Sequence, residues 1–459
     1  MRQILSNVAI KPVIICRFLV IGIVIVASIL RIWVYGDPNL SIAGNDTLSY
    51  VESSQVPLFS SEIMTGRRLL TTNIVYKIFE PKEGYKIIVN GSLATARRDF
   101  QPGFDKIVVL QLILSIIGWS LLAFIISEYI QNPWLKILSA VTIVAFAYTP
   151  QMADWDSILM SESLTFSLFA FLVAILVKLV FSIYKDSNSK ISIYIIVWAI
   201  AYFLWTFLRD TNLFTSFITI GMVAILLFSI KYRRNKYLYG ILAFVAAVLI
   251  LGLNTSSNST RSLVQLSHVY NDDFLHNTAT VSTLEKLGMP APDSAEYQDW
   301  FQKNSSKTLI KYMLIHPGYP IGKTLKDFPQ AFTEIKQTYF KMPYAQSREL
   351  SMELGNALHP ENTTPFLLDL FLLLGFILLA VKNTNERSRP WAWIGIWLML
   401  TASITIVPTI LGDTWALNRH ALFSTVIYRL FMWVFSIVII DIALGQNTPT
   451  EKLSISQEA

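Results

Sequence analysis

The chain has 459 residues, of which 53% are hydrophobic and only 15% charged, and its mean hydropathy is +0.49. That balance excludes a water-soluble globular protein and describes helices that face lipid. The formal net charge of +6 comes without a basic stripe interleaved with aromatics, so nucleic acid is excluded as a partner. One cysteine, Cys16, excludes an internal disulfide and a thiolate metal cluster.

A membrane-crossing helix needs roughly 20 apolar residues. Stretches near that length recur at about 13–35, 106–128, 134–152, 160–182, 191–208, 212–230, 237–253, 365–382, 391–411 and 420–443, about ten spans in all. The first lacks a small-residue cleavage pattern before Gly36 and is expected to stay as an anchor rather than act as a signal peptide. Lys and Arg set the orientation. Arg2, Lys11 and Arg17 precede span one; Lys178, Lys185 and Lys190 follow span four; Lys231, Arg233, Arg234 and Lys236 follow span six; Lys382, Arg387 and Arg389 follow span eight. With an even number of spans these clusters share one side, which places both termini in the cytoplasm.

The expected fold is therefore an all-α polytopic membrane protein with an interfacial helical first loop and a small, mostly helical extracytoplasmic cap. Residues 1–253 form a transmembrane core that includes the first extracytoplasmic loop, 36–105. Residues 254–364 form the helical cap, 365–445 the C-terminal transmembrane helices, and 446–459 a cytoplasmic tail. In the first loop, Ser61 to Arg68 leads into Leu69 to Tyr76, whose apolar period reads as an amphipathic helix lying at the interface. Helical patterns near 262–272, 296–315 and 323–340 are broken by Pro290, Pro292, Pro317 and Pro320.

Charge is nearly absent from the spans and gathers at their outer ends. Gly44-Asn45-Asp46-Thr47 sets a carboxylate shortly after span one, where it can deprotonate a hydroxyl within hydrogen-bond reach; the competing reading is a helix cap. Asp154, Asp156 and Glu162 bunch at the outer start of span four. Guanidinium groups that could grip phosphate oxygens sit nearby: Arg67 and Arg68, Arg209 between spans five and six, and Arg419 with His420 between nine and ten. A snorkelling anchor is the bland reading for each arginine, and a local pair with Asp210 is a further one for Arg209. Arg429 lies deep enough in the last span to require a packed partner or a polar cavity, whereas Asp369 reaches the interface. His268, His276, His316 and His359 lack the spacing of a zinc helix and read as surface residues.

This pattern resembles the GT-C superfamily of membrane glycosyltransferases. Those proteins share a long first extracytoplasmic loop with an acidic residue, a Ser-Glu-Ser-Leu type element at the start of a later helix (here Ser161 to Leu164), and outward arginines. The match covers roughly residues 10–215, with a looser echo at 412–430. The resemblance implies a polyprenyl-phosphate-linked sugar as donor and inverting transfer to a glycan, glycolipid or protein acceptor, at the outer face of a bacterial cytoplasmic (inner) membrane. It makes Asp46 the general base, with Glu162 orienting acceptor or sugar hydroxyls. Arg67, Arg68, Arg209, Arg419 and His420 would neutralise the departing phosphate, and Tyr50, Trp155, Asp156 and Asp413 would touch acceptor or sugar. Many relatives carry paired acids in the first loop; here Asn45 and Thr47 flank Asp46 and the next acid is Glu52. No cofactor is expected on that account, with a divalent Mg or Mn as the alternative. The rival classes are a transporter or flippase of a lipid-linked or anionic substrate, and a glycan polymerase or ligase of another fold.

Overall fold

The computed structural model describes residues 12–88, 101–185, 191–333, 346–382 and 386–446. Arg2, Lys11 and Lys190, the helical pattern beyond residue 333 and the tail from 447 onward lie outside them. Helix α1 is Pro12–Tyr35, and the first long loop carries α2 (Asn45–Ser54), α3 (Glu62–Thr65) and α4 (Leu70–Ile78). Then come α5 (Asp105–Glu128), α6 (Pro133–Tyr148), the single turn α7 (Pro150–Ala153), α8 (Glu162–Tyr184), α9 (Ile191–Thr206), α10 (Thr215–Phe228) and α11 (Lys236–Ser257). The second long segment holds α12 (Leu263–Val269), α13 (Thr278–Lys286), α14 (Tyr297–Ile315), α15 (Gly318–Ala331) and α16 (Gln346–Leu358). Helices α17 (Thr364–Val381), α18 (Ser388–Gly412), α19 (Leu417–His420) and α20 (Leu422–Gln446) follow.

The chain is an all-α, multi-pass membrane protein. Among the described residues eight helices are long and apolar enough to cross a membrane. Two of the ten expected spans differ from plain crossings. The third bends by 55° between Tyr148 and Pro150. Thr149 is extended there, as the residue before a proline prefers, and the chain continues as α7 and a 3-10 turn at Asp154–Ser157. The fifth, α9, has only 16 residues, about 24 Å of helix against a hydrocarbon core of about 30 Å.

Helix α8 is the axis of the bundle. Inside the protein lies 78% of its most apolar stretch, against 17% for α1 and for α17, which are the lipid-facing rim. Helices α5 and α8 touch at Gly118, where an added Cβ would stand 2.3 Å from the carbonyl oxygen of Ser167. No side chain rotates that backbone atom away, so Gly118→Ala is expected to cost about 1–3 kcal/mol. A thermal midpoint in detergent equal to that of the unaltered protein would show that the two helices separate without penalty.

Each end of the bundle is pinned by a buried ion pair. Arg31 of α1 pairs with Asp156 and also donates to Ala147 O at 2.7 Å and Ser115 Oγ at 2.7 Å. At the opposite end Arg387 pairs with Asp441, whose carboxylate also accepts from the backbone N–H groups of Gln131 and Asn132.

The segment between α11 and α17 has its own apolar cluster, including Leu266, Tyr270, Phe274, Trp300, Phe301 and Leu309. Arg429 fastens this segment to α20. Its guanidinium is fully buried and donates to Phe332 O at 2.7 Å, Pro360 O at 2.9 Å and Thr425 Oγ1 at 2.9 Å. The deep cation therefore has packed partners: two backbone carbonyls of the segment between α11 and α17, and a hydroxyl of α20 itself. Two sequence expectations are corrected here. His359 is buried, with Nε2 at 2.9 Å from Phe146 O, because α16 returns it to the α6 terminus. Asp369 is buried in α17 with neither carboxylate oxygen hydrogen-bonded.

Candidate functional site

The first loop is folded onto the start of α8 by backbone pairing. Ile42 N–H donates to Ser157 O and Leu159 N–H to Ile42 O, both at 2.9 Å, forming an isolated parallel bridge. Thr47 then caps α2: its hydroxyl accepts from Gly44 N–H at 2.8 Å and donates to Leu159 O at 2.9 Å. The capping role goes to Thr47, which leaves the Asp46 carboxylate free to point elsewhere. Since Leu159 is three residues before Glu162, the same contacts bring both acids to one end of the bundle.

Asp46 is held between two guanidinium groups. Its Oδ1 lies 2.9 Å from Arg68 Nη2 and its Oδ2 lies 2.8 Å from Arg419 Nη2. Arg68 is oriented by the ring of Tyr50, 4.2 Å below its guanidinium carbon, and by Ser49 Oγ at 2.6 Å from Nε. Tyr50 stacks in turn on Tyr76 at 5.4 Å. The polar face of α4, Thr71, Thr72, Asn73 and Tyr76, is buried, and Ile78 is exposed. The expected interfacial helix is thus packed into the protein: Thr71 Oγ1 donates to Leu204 O, and Asn73 supports the carbonyls of Ile63 and Arg68.

The other half of the site comes from the turn before α20. Arg419 Nη2 also lies 2.8 Å from His420 Nε2, and His420 Nδ1 is in direct contact with Asp413 Oδ2. A guanidinium can only donate, so Nε2 accepts and Nδ1 carries the proton given to Asp413. The other oxygen of Asp413 faces His268 Nδ1 at 3.6 Å and accepts from Trp415 N–H at 3.0 Å. Ala416, between them, is left-handed at φ 49°, a strained state for a residue with a Cβ. Arg209 joins through its Nη2, 3.4 Å from His420 O.

Electrostatics follow from this packing. Burial acts to raise the Asp46 pKa, but the charges of Arg419 and Arg68 outweigh it and lower it to about 2. Burial also acts upward on Asp413, and the hydrogen bond from His420 brings it below the ordinary carboxylate value. Glu162 is buried within electrostatic range of Arg68, Arg419 and Tyr50, and its Oε2 has no hydrogen-bond partner. Arg209 Nη1 and Arg419 Nε are likewise buried N–H groups without acceptors. Orphaned donors on two arginines that meet at His420 are suited to an anion with several oxygens. Among the described residues no three His, Cys, Asp or Glu side chains converge as metal ligands, and each Asp46 oxygen is occupied by a guanidinium.

The structure therefore gathers Asp46, Tyr50, Glu162, Arg68, Arg209, Asp413, Arg419 and His420. Arg67 points away, to an exposed pair with Glu52 at 3.0 Å. Asp156 is consumed by Arg31 and by Ser163 at 2.6 Å, and Trp155 is buried in the core beside it. Arg209 does not pair with Asp210, which is held by both Nε and Nη2 of Arg261 at 3.0 Å. Sequence reading missed His268, Arg261 and Asp272. Asp272 accepts from Thr414 Oγ1 at 2.6 Å and from Trp415 Nε1 at 3.0 Å, while His268 stacks on the exposed Trp415 ring at 5.1 Å. An apolar cavity lined by Leu176, Tyr184, Trp198 and Trp393 lies toward the far end of α8, about 20 Å or more along the helix from Glu162.

No protein-family model matches the chain, and no curated protein or solved structure matches it either.

Proposed function

We propose that this membrane protein is an inverting glycosyltransferase of the GT-C kind, moving a sugar from a polyprenyl-phosphate-linked donor to an acceptor hydroxyl at the extracytoplasmic face of a bacterial inner membrane. The observation that carries this reading is the Asp46 carboxylate, set between Arg68 and Arg419, with the unsatisfied donors of Arg209 and Arg419 in the same cluster. The acceptor oxygen attacks the anomeric carbon from the face opposite the phosphate. As that bond forms, the carbon–oxygen bond to phosphate breaks, the acceptor proton passes to Asp46, and the leaving phosphate gains one negative charge. Arg68, Arg209 and Arg419 neutralise that charge, the role a metal would otherwise take, so the reaction is read as metal-independent. Glu162 steers the guanidinium groups, and Asp413 holds His420 in one tautomer. The exposed ring of Trp415 is the sugar-stacking surface, in place of the buried Trp155.

The test is transfer of radiolabelled sugar, in membranes, from a panel of polyprenyl-phosphate sugars. The expected result is transfer from one donor class, with the anomeric configuration inverted in the product. Retained configuration would contradict the single-displacement step. No transfer from any donor, with vectorial movement of the lipid-linked sugar instead, would establish the transporter reading.

A further inference from the structure

The two ion pairs that define the site also block it. A carboxylate whose oxygens are each taken by a guanidinium is a poor proton acceptor, since a general base works best with a pKa near the operating pH. The same two guanidinium groups are the nearest cations to any phosphate entering beside Asp46. We propose that the ligand's phosphate competes with Asp46 for Arg68 and Arg419, so that binding a lipid-linked phosphate releases this carboxylate and switches on the base. The inference rests on the glycosyltransferase reading for its purpose, but the exchange itself is a property of binding.

Four features support an exchange over a fixed clamp. Arg68 is steered by contacts that survive the loss of Asp46: the Tyr50 ring at 4.2 Å and Ser49 Oγ at 2.6 Å. Arg419 holds a buried Nε with no acceptor, so it has an unused donor to offer an anion. Glu162, buried with an unpartnered oxygen near both arginines, remains beside them when Asp46 lets go. Asp46 is also only partly buried, its side chain 33% exposed, so water or an acceptor hydroxyl can reach it. The charged and titratable groups around it are Arg68 from the first loop, Tyr50 from α2, Glu162 from α8, and Arg419 with His420 from α19.

Linkage makes the exchange measurable without any turnover. If phosphate and the Asp46 charge compete for the same cations, removing that charge must tighten phosphate binding by the factor with which phosphate would have weakened the pairs. Asp46→Asn and Asp46→Ala are therefore expected to bind a polyprenyl methyl phosphodiester about tenfold or more tightly, a typical coupling between sites. Inorganic phosphate serves as the comparison. Tightening with both probes supports the exchange with phosphate alone as sufficient, and tightening with the lipid probe alone supports it with the chain required to seat the headgroup. Affinity that is unchanged or weakened in both variants overturns it. Tighter binding in Asp46→Asn together with no sugar transfer from any donor by the unaltered protein would leave the exchange standing and remove the glycosyltransferase reading.

Discussion

Arg31→Met is expected to lower the stability of the protein by about 3–5 kcal/mol, the usual cost of removing one partner from a buried ion pair. The guanidinium is fully buried and satisfies Asp156, Ser115 Oγ and Ala147 O together, so its loss leaves the Asp156 carboxylate without its counter-ion and a helix-end carbonyl without that donor. Asp156 sits at the bend where the α6 region turns back toward α8, and the same carboxylate accepts from Ser163 at 2.6 Å. The double variant Arg31→Met with Asp156→Leu should recover much of the loss, because apolar replacement of both partners removes the uncompensated charge. Thermal unfolding in detergent reads both effects. A single variant as stable as the parent would mean that water reaches Asp156.

The second large effect is on chemistry. Arg419→Ala should reduce sugar transfer by about 10²–10³, the range seen when one preorganised group is removed from a developing negative charge. Arg419 contacts Asp46 and His420 directly, whereas Arg209 meets the cluster through His420 O at 3.4 Å, so the fall should be larger than for Arg209→Ala. Arg67→Ala is the internal control. Its pair with Glu52 is solvent-exposed and worth well under about 1 kcal/mol, so transfer should stay near that of the unaltered protein. Equal losses for Arg67→Ala and Arg419→Ala would show that general surface charge, and not this cluster, supports transfer.

The apolar runs made the membrane helices legible because lipid demands about 20 uninterrupted residues whatever the tertiary packing. The bend at Thr149 was visible only as Pro150; whether a proline kinks or ends a span depends on what satisfies the freed backbone, here the turn through Asp154–Ser157. Within the site, Asp46, Arg68, Arg419, His420 and Asp413 were legible as charges that no lipid-facing helix end requires. Arg67 was not separable from Arg68. Both sit in the irregular stretch between α3 and α4, where no helical period assigns a direction to a side chain. The fate of Asp156 was hidden because its partner Arg31 lies 125 positions away, in a span whose one inward charge looks like an anchor in the sequence. His268 and Asp272 were equally invisible: they reach the site only because the segment after α11 folds back over the turn at Thr414 and Trp415.

The measurement closest to the centre of this account compares the unaltered protein with Asp46→Asn in the same membranes, following both donor binding and sugar transfer. Loss of transfer with donor binding retained or strengthened is the predicted result, since the substitution removes the base and leaves the arginines to the phosphate. Transfer by Asp46→Asn at the rate of the unaltered protein would contradict it and move the proton acceptor elsewhere in the cluster, first to Glu162, whose Oε2 has no hydrogen-bond partner.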